Sequence, residues 1–348
     1  FQAEDGIRDL VRSRGLGDVY KRQIRMSSIG DIVLATSFLE SVKIKYPDSK
    51  IDFLIKKEFA SILEHHPMID NLIIFDKSKG LKGLWKLGKS LSRKSYHKVF
   101  DIHNVFRSKF LSYFFKRVNF FQISKPRLKR FLLFYFRLNF FKKDFNHIKM
   151  YHSLLGINEN FPRTSLYVSE GEKSSAKNFL QNHNITDEFI CIVPGAAWEQ
   201  KQLPVDKYDQ LIEDLLNKFN LKILILGSKN DTICDKIAVK DGVINLKNQT
   251  SLRMALSILS LAKHSFGSDT GLMHASEALN TPVSMILGPT SSETGATINH
   301  PQSMIFEKNN LWCRPCSQNG KRKCIRKEQY CLTGITVSYT HLTLPTKA

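Results

Sequence analysis

This sequence is short of acid. Asp and Glu number 32 against 52 Lys and Arg in 348 residues, a formal charge of +20. Such a balance points to an acidic partner: nucleic acid, an anionic membrane surface or a phosphorylated substrate. Cysteine is also sparse, six in the whole chain. That excludes the disulfide framework of a small secreted domain and makes the reducing cytosol the expected compartment. No run of 18 apolar residues occurs, so no transmembrane helix is expected, and no secretory signal pattern is visible. Internal repeats and low-complexity tracts are missing too. What remains is an ordinary globular composition, 42% hydrophobic and 24% charged. It is long enough for two domains at ~150 residues each, which excludes a disordered or collagen-like chain.

Both ends read differently from the middle. Residues 1–23 carry neither helical nor strand periodicity, and AEDGIRDLVRSRGLGDVYKRQ resembles translated sequencing-adapter read-through. VSYTHLTLPTKA, residues 337–348, resembles the matching sequence at the other end. Both are set aside from the fold, which leaves a first strand cut short before Ile24.

Between them, short apolar runs alternate with amphipathic ones. Segments 51–55, 71–75, 98–102, 189–193, 222–226, 243–246 and 283–287 read as buried strands. Segments 31–46, 81–94, 172–183, 205–219, 252–262 and 272–279 read as helices. Such alternation predicts parallel sheets of βαβ units. A polar stretch near 169–188 divides two series, so two Rossmann-like domains are expected, residues 24–168 and 169–336, facing a cleft at the carboxyl ends of the strands. Segment 107–143 breaks the pattern: eleven Lys or Arg, no acid, and many Phe and Tyr. A solvated face would not need the rings, and a core helix would not need the cations. Binding of single-stranded nucleic acid by stacking and charge is one reading, but cleft motifs would then be superfluous, and no nucleic acid partner is expected.

Four strand-end loops carry candidate chemistry. In Ser27-Ser28-Ile29-Gly30-Asp31, Gly30 would let the backbone approach a ligand. Asp31 reads either as a helix-capping carboxylate or as a general base presented to the cleft. Gly195, Ala196 and Ala197, ahead of Lys201, expose backbone amides that can hold phosphate, with Lys201 as a point charge. Asp269-Thr270-Gly271 opens a helix whose first-turn amides could bind an anion, with His274 in the same turn. Asp269 is equally readable as a helix cap and His274 as a packing residue. Gly288-Pro289-Thr290 is a turn in the same position.

RMSSIGDIVLATSFLESVKIKYP, PGAAWEQKQLP, GSDTGLMHASEALNTP and GPT occur in the order seen in glycosyltransferase family 9. DIHNVFRS and CRPC also resemble that family, and the likeness spans about residues 24–336. It implies an α/β protein of GT-B fold and an inverting, metal-independent, cofactor-free transferase. The reaction implied moves a heptose from ADP-heptose to a lipopolysaccharide inner-core acceptor; another nucleotide sugar is the alternative. It also implies a cytoplasmic enzyme, peripheral at the inner face of the inner membrane. Carried over residue by residue, Asp31 matches the base and Lys201 the diphosphate ligand. Asp269, Thr270, Gly271 and His274 match the donor motif, and Asp231 a ribose-binding acid. Gly30, Arg107, Arg127, Lys129 and Arg130 are the acceptor-side candidates, and segment 107–143 is expected to meet the acceptor and an anionic membrane surface. Cys313, Cys316, Cys324 and Cys331 form C-x2-C-x7-C-x6-C, read as reduced thiols or as a structural zinc site.

Overall fold

The computed structural model describes residues 20–115, 118–142 and 144–335; the stretches 1–19 and 337–348 set aside above lie outside them. Two all-parallel sheets are present, ordered β3-β2-β1-β4-β5 and β11-β10-β9-β6-β7-β8. In the first domain β1 is Tyr20–Ile24, β2 Lys50–Lys56, β3 Asn71–Phe75, β4 Tyr96–Asp101 and β5 Asn119–Gln122. Its helices are α1 (Ile29–Lys45), α2 (Gly80–Ser92), α3 (Phe106–Ser112), α4 (Arg127–Phe136) and α5 (His147–His152). The second domain opens with α6 (Glu170–Asn182), capped by Ser169, and then β6 (Phe189–Val193) and α7 (Val205–Phe219). There follow β7 (Lys222–Ile225), β8 (Val243–Asn245), α8 (Leu252–Leu261), β9 (His264–Ser268) and α9 (Gly271–Ala278). It ends with β10 (Val283–Leu287), β11 (Met304–Glu307) and α10 (Tyr330–Thr333). This is the two-domain GT-B arrangement.

The apolar runs explain the layering. Parallel strands flanked by helices are buried on both faces, so they read as continuous apolar runs; β6 and β10 are buried at every position. Tyr208, Leu211, Ile212 and Leu215 of α7 cover one face of the second sheet, while α6 and α8 cover the other. One cluster does not respect the domain boundary. Ile32, Val33 and Phe38 of α1 share a core with Leu256, Ala275 and Ala278 from α8 and α9.

β1 departs from expectation. It begins four residues inside the stretch set aside, and it lies at the centre of the first sheet, paired with β2 and β4. Lys21, Arg22 and Gln23 are thereby buried. The Arg22 guanidinium makes no hydrogen bond and rests against the Tyr96 and Phe115 rings; burial pushes its pKa down to about 10. Two flanking ladders, not suitable side chains, impose this strand. Asn248 adopts the left-handed conformation (φ 58°) that Asn tolerates.

Candidate active site

Strand ends β1, β4, β6, β7 and β9 converge on one cleft of about 930 Å³ between the domains. From the first domain it is lined by Arg25, Gly30, Asp31, His103, Lys125 and His147. The second contributes Gly195, Ala196, Ala197, Lys201 and Asp231, together with Asp269, Thr270, Gly271 and His274. All the donor-side candidates therefore meet at one place.

Asp31 is the third residue of α1, and the helix begins behind it at Ser28. Its Oδ2 accepts from the Ser28 N–H (3.2 Å) and hydroxyl (2.9 Å). The cap of α1 is Ser28, and Asp31 is its N3 partner: Oδ2 closes the turn, while Oδ1 is salt-bridged to Arg25 at 2.5 Å. The neighbouring Arg25 guanidinium and His147 outweigh burial and hold the carboxyl well below the usual carboxylate range. Arg25 is itself pinned, donating to the Ile102 carbonyl at 2.8 Å.

Across the cleft Lys201 Nζ lies 2.5 Å from Asp269 Oδ2, with both side chains largely buried. Asp269 is not the cap of α9; that position belongs to Thr270. Its carboxylate also accepts from Thr290 Oγ1 at 2.9 Å, which gives the Gly-Pro-Thr turn a role in fixing the pair. Lys201 and His274 overcome burial and lower its pKa far below the ordinary value. The lysine thus stands at a strand end with a fixed counter-ion. Its partner Asp269 immediately precedes Thr270, the N-cap of α9.

Close approaches explain three glycines. A Cβ on Gly30 would come within 2.8 Å of the His274 ring, and one on Gly271 within 2.4 Å of Ile29 Cβ. A Cβ on Gly195 would meet Asp231 Oδ1 at 2.3 Å. The opposite domain approaches Gly30 closely, and Gly30 also lines the cleft. Asp231 uses Oδ2 to accept from Ser228 N and Oγ and lies against the Gly195 loop.

The acceptor-side candidates divide. Arg107, Arg127 and Lys129 do not line the cleft; Arg127 is exposed and donates to the Asn104 carbonyl. Arg130 is turned inward, its Nη2 2.7 Å from His147 Nε2. Among the described residues of segment 107–143, the cation that enters the cleft is Lys125, whose pKa is pushed down to about 8 by burial and by Arg25. Sequence reasoning missed Arg25, Lys125, His103 and His147. Burial of His103, with Arg25 nearby, lowers its pKa to about 3.

Cys313, Cys316, Cys324 and Cys331 line one small cavity with Arg314 and Arg326. They are unpaired. Among the described residues no group of three His, Cys, Asp or Glu is placed to hold a metal ion.

Comparison with known proteins follows the same lines. The model of Glycosyltransferase family 9 (heptosyltransferase) matches residues 84–325. Lipooligosaccharide heptosyltransferase 2 of Haemophilus ducreyi is 28% identical over 292 residues, 76% of this chain and 82% of that protein. The structure of Escherichia coli ADP-heptose LPS heptosyltransferase II superposes with a TM-score of 0.66 at 22% identity, over 84% of this chain and 92% of that one. An Escherichia coli heptosyltransferase solved with ADP-2-deoxy-2-fluoro heptose gives a TM-score of 0.60 at 20% identity, covering 87% and 96%.

Proposed function

The chain belongs to glycosyltransferase family 9, and from that premise we propose that it moves a heptose from ADP-heptose to a lipopolysaccharide inner-core acceptor, with inversion and without a metal ion. The observation that carries this reading is the pairing of Asp31 on one wall of the cleft with Lys201 and the α9 N-terminus on the other. The acceptor hydroxyl oxygen attacks the anomeric carbon from the face opposite the diphosphate. The carbon–oxygen bond to the diphosphate breaks, and the hydroxyl proton passes to Asp31. A carboxylate held at low pKa is a weak base, but it is ionised at every working pH. The hydroxyl becomes strongly acidic as its new bond forms, so a weak base suffices late in the step.

Lys201, the amides of Gly195, Ala196 and Ala197, and those at the start of α9 stabilise the charge growing on the departing nucleoside diphosphate. Ala196 and Ala197 have no hydroxyls, so this loop binds through its backbone alone. Asp231 keeps Oδ1 for a ribose hydroxyl. The acceptor occupies the first-domain wall, where Gly30 is placed beside Asp31 and where Arg25 and Lys125 supply positive potential for an anionic glycolipid. Arg107, Arg127 and Lys129 extend that potential outside the cleft. The enzyme works at the cytoplasmic face of the inner membrane; among the described residues no helix is long and apolar enough to cross a membrane.

The test is a panel of nucleotide sugars against truncated lipopolysaccharides, run with and without EDTA. ADP-heptose should give the largest kcat/KM in both conditions. Asp31→Ala should lower turnover by roughly 10²–10⁴, the range for a lost general base, and Lys201→Ala should weaken ADP binding in calorimetry. Preference for another nucleotide sugar would select the alternative donor, and near-wild-type turnover of the Asp31 variant would remove the base assignment.

A further inference from the structure

His147 is the first residue of α5, remote in sequence from every motif, and yet it lines the cleft beside Asp31. Its surroundings fix its chemistry. Arg130 Nη2 lies 2.7 Å from His147 Nε2. A guanidinium can only donate, so Nε2 accepts, and the neutral ring carries its proton on Nδ1. Burial is the largest influence and disfavours the charged ring; Asp31 favours it and Arg130 opposes it, and the pKa is lowered on balance. Nδ1 is buried and has no hydrogen-bond partner; Asp31 Oδ1 stands 3.7 Å away. Catalytic hydrogen bonds are commonly long in the unliganded state and tighten in the substrate complex.

The second domain touches the same ring. Gly295 has φ 116°, and a Cβ there would fall 2.4 Å from His147 Cε1. No residue but glycine suits that position, by conformation or by space. Arg130 also reaches the Glu293 carbonyl at 3.5 Å. Thr294, Gly295 and Ala296 line the cleft themselves. The imidazole is thus held between α4, α5 and a loop of the donor-side domain.

We propose that His147 is a positioning residue for Asp31: locked by Arg130 as the Nδ1–H tautomer, it donates to Oδ1 and holds the carboxylate in line with the acceptor hydroxyl in the substrate complex. This rests on Asp31 being the base. Arg25 fixes the same oxygen from the β1 side, so the carboxylate has a charged anchor and a neutral one. The other groups facing it are Lys125, His103 and the Tyr151 hydroxyl. None of these has its proton directed by a second residue in this way. Substrate need not touch His147 for the effect to operate.

Three variants and a spectrum test this. His147→Leu should cut kcat by roughly 10-fold, a part of what general-base catalysis supplies, with the KM for donor unchanged. His147→Asn, which keeps an N–H donor near the Nδ1 position, should recover most of the loss. Ring ¹⁵N NMR of the wild type should show His147 neutral and protonated at Nδ1, and Arg130→Met should convert it to a mixture of tautomers. Wild-type kcat in a folded His147→Leu protein would overturn the proposal. So would a loss that Asn does not recover and that comes with a lower Tm and a raised donor KM, the pattern of a packing residue. If the Leu variant does not fold, an Nε2–H ring in the wild-type spectrum overturns it independently. Asp31→Asn separates the two layers. If Asp31→Asn is active, the base assignment fails; if Asp31→Asn is inactive while His147→Leu is normal, only this inference fails.

Discussion

At the residue scale, the cleft shows which single positions announce themselves. Asp31, Lys201 and Asp269 follow strands and small residues, where backbone exposure marks a ligand site. Lys125 has no such mark: it is one of eleven cations in segment 107–143, and nothing local distinguishes it as the one that, among the described residues, lines the cleft. His147 has none either, because its partner Asp31 is 116 positions earlier in the chain. Lys125 has a consequence that the exposed cations do not share. Burial and Arg25 lower its pKa to about 8, so it is charged below that pH and neutral above it. The ordinary lysine value is ~10.4. Binding of an anionic acceptor should therefore weaken as pH rises through about 8, seen as a rising acceptor KM with donor KM flat. Lys125→Met should show a raised acceptor KM at pH 7 and no further rise to pH 9. A wild-type acceptor KM that stays level between pH 7 and 9 would contradict the role.

At the scale of elements, the legible pieces were those with one dominant signal. β3, β6, β10 and α7 fall where the apolar runs and periodicity put them. β9 was hidden because His264, Ser265 and Ser268 look like a loop. Here each finds a partner: Ser284 for His264, Ser276 for Ser265 and Tyr208 for Ser268. Polar side chains are compatible with a buried strand when most of their groups are paired; here only His264 Nδ1 is left without a partner among these three residues. Segment 107–143 resolved into α3, β5 and α4. On α4, Leu128, Phe131 and Tyr135 recur at i, i+3 and i+7 and are exposed, with Arg127 and Lys129 beside them. Its C-terminal end leans on the second domain: Arg322 donates to the Phe134 carbonyl and lies over the Tyr135 ring at the end of the stripe. An exposed aromatic stripe bordered by cations is the pattern of an interfacial helix, worth roughly 1 kcal/mol per basic residue near an anionic leaflet. Arg127→Glu with Lys129→Glu should abolish salt-sensitive co-sedimentation with anionic vesicles and leave turnover on a soluble, delipidated acceptor within about 2-fold. Arg130 is excluded from this pair because it faces His147. Equal vesicle binding by wild type and variant would make the stripe a satellite core alone.

At the scale of the whole molecule, two domains were readable from the alternation of strands and helices, but their union was not. That union is an apolar seam. α1 packs along α9, with Ala275 and Ala278 sunk among Ile32, Val33 and Phe38. Gly271 is so close to Ile29 that any side chain would part them. Away from the seam, Arg253 donates to the Ser61 carbonyl while held by Glu172, and the α4 contacts with Arg322 tie a further point. Domains joined by polar, water-filled contacts move freely, whereas a shared hydrophobic core couples them. The protein should therefore unfold in one calorimetric transition, with van't Hoff and calorimetric enthalpies equal. Ala275→Leu overfills the seam without entering the cleft and should cost about 1–3 kcal/mol. Since Lys201, Asp269 and the Gly195 loop all belong to the second domain, ADP affinity should survive this change. The alignment of Asp31 with the donor crosses the seam, so kcat should fall. Two resolved transitions in the wild-type scan would refute the shared core. Unchanged kcat in a measurably destabilised Ala275→Leu protein would show that the seam holds the domains together without setting the geometry between them.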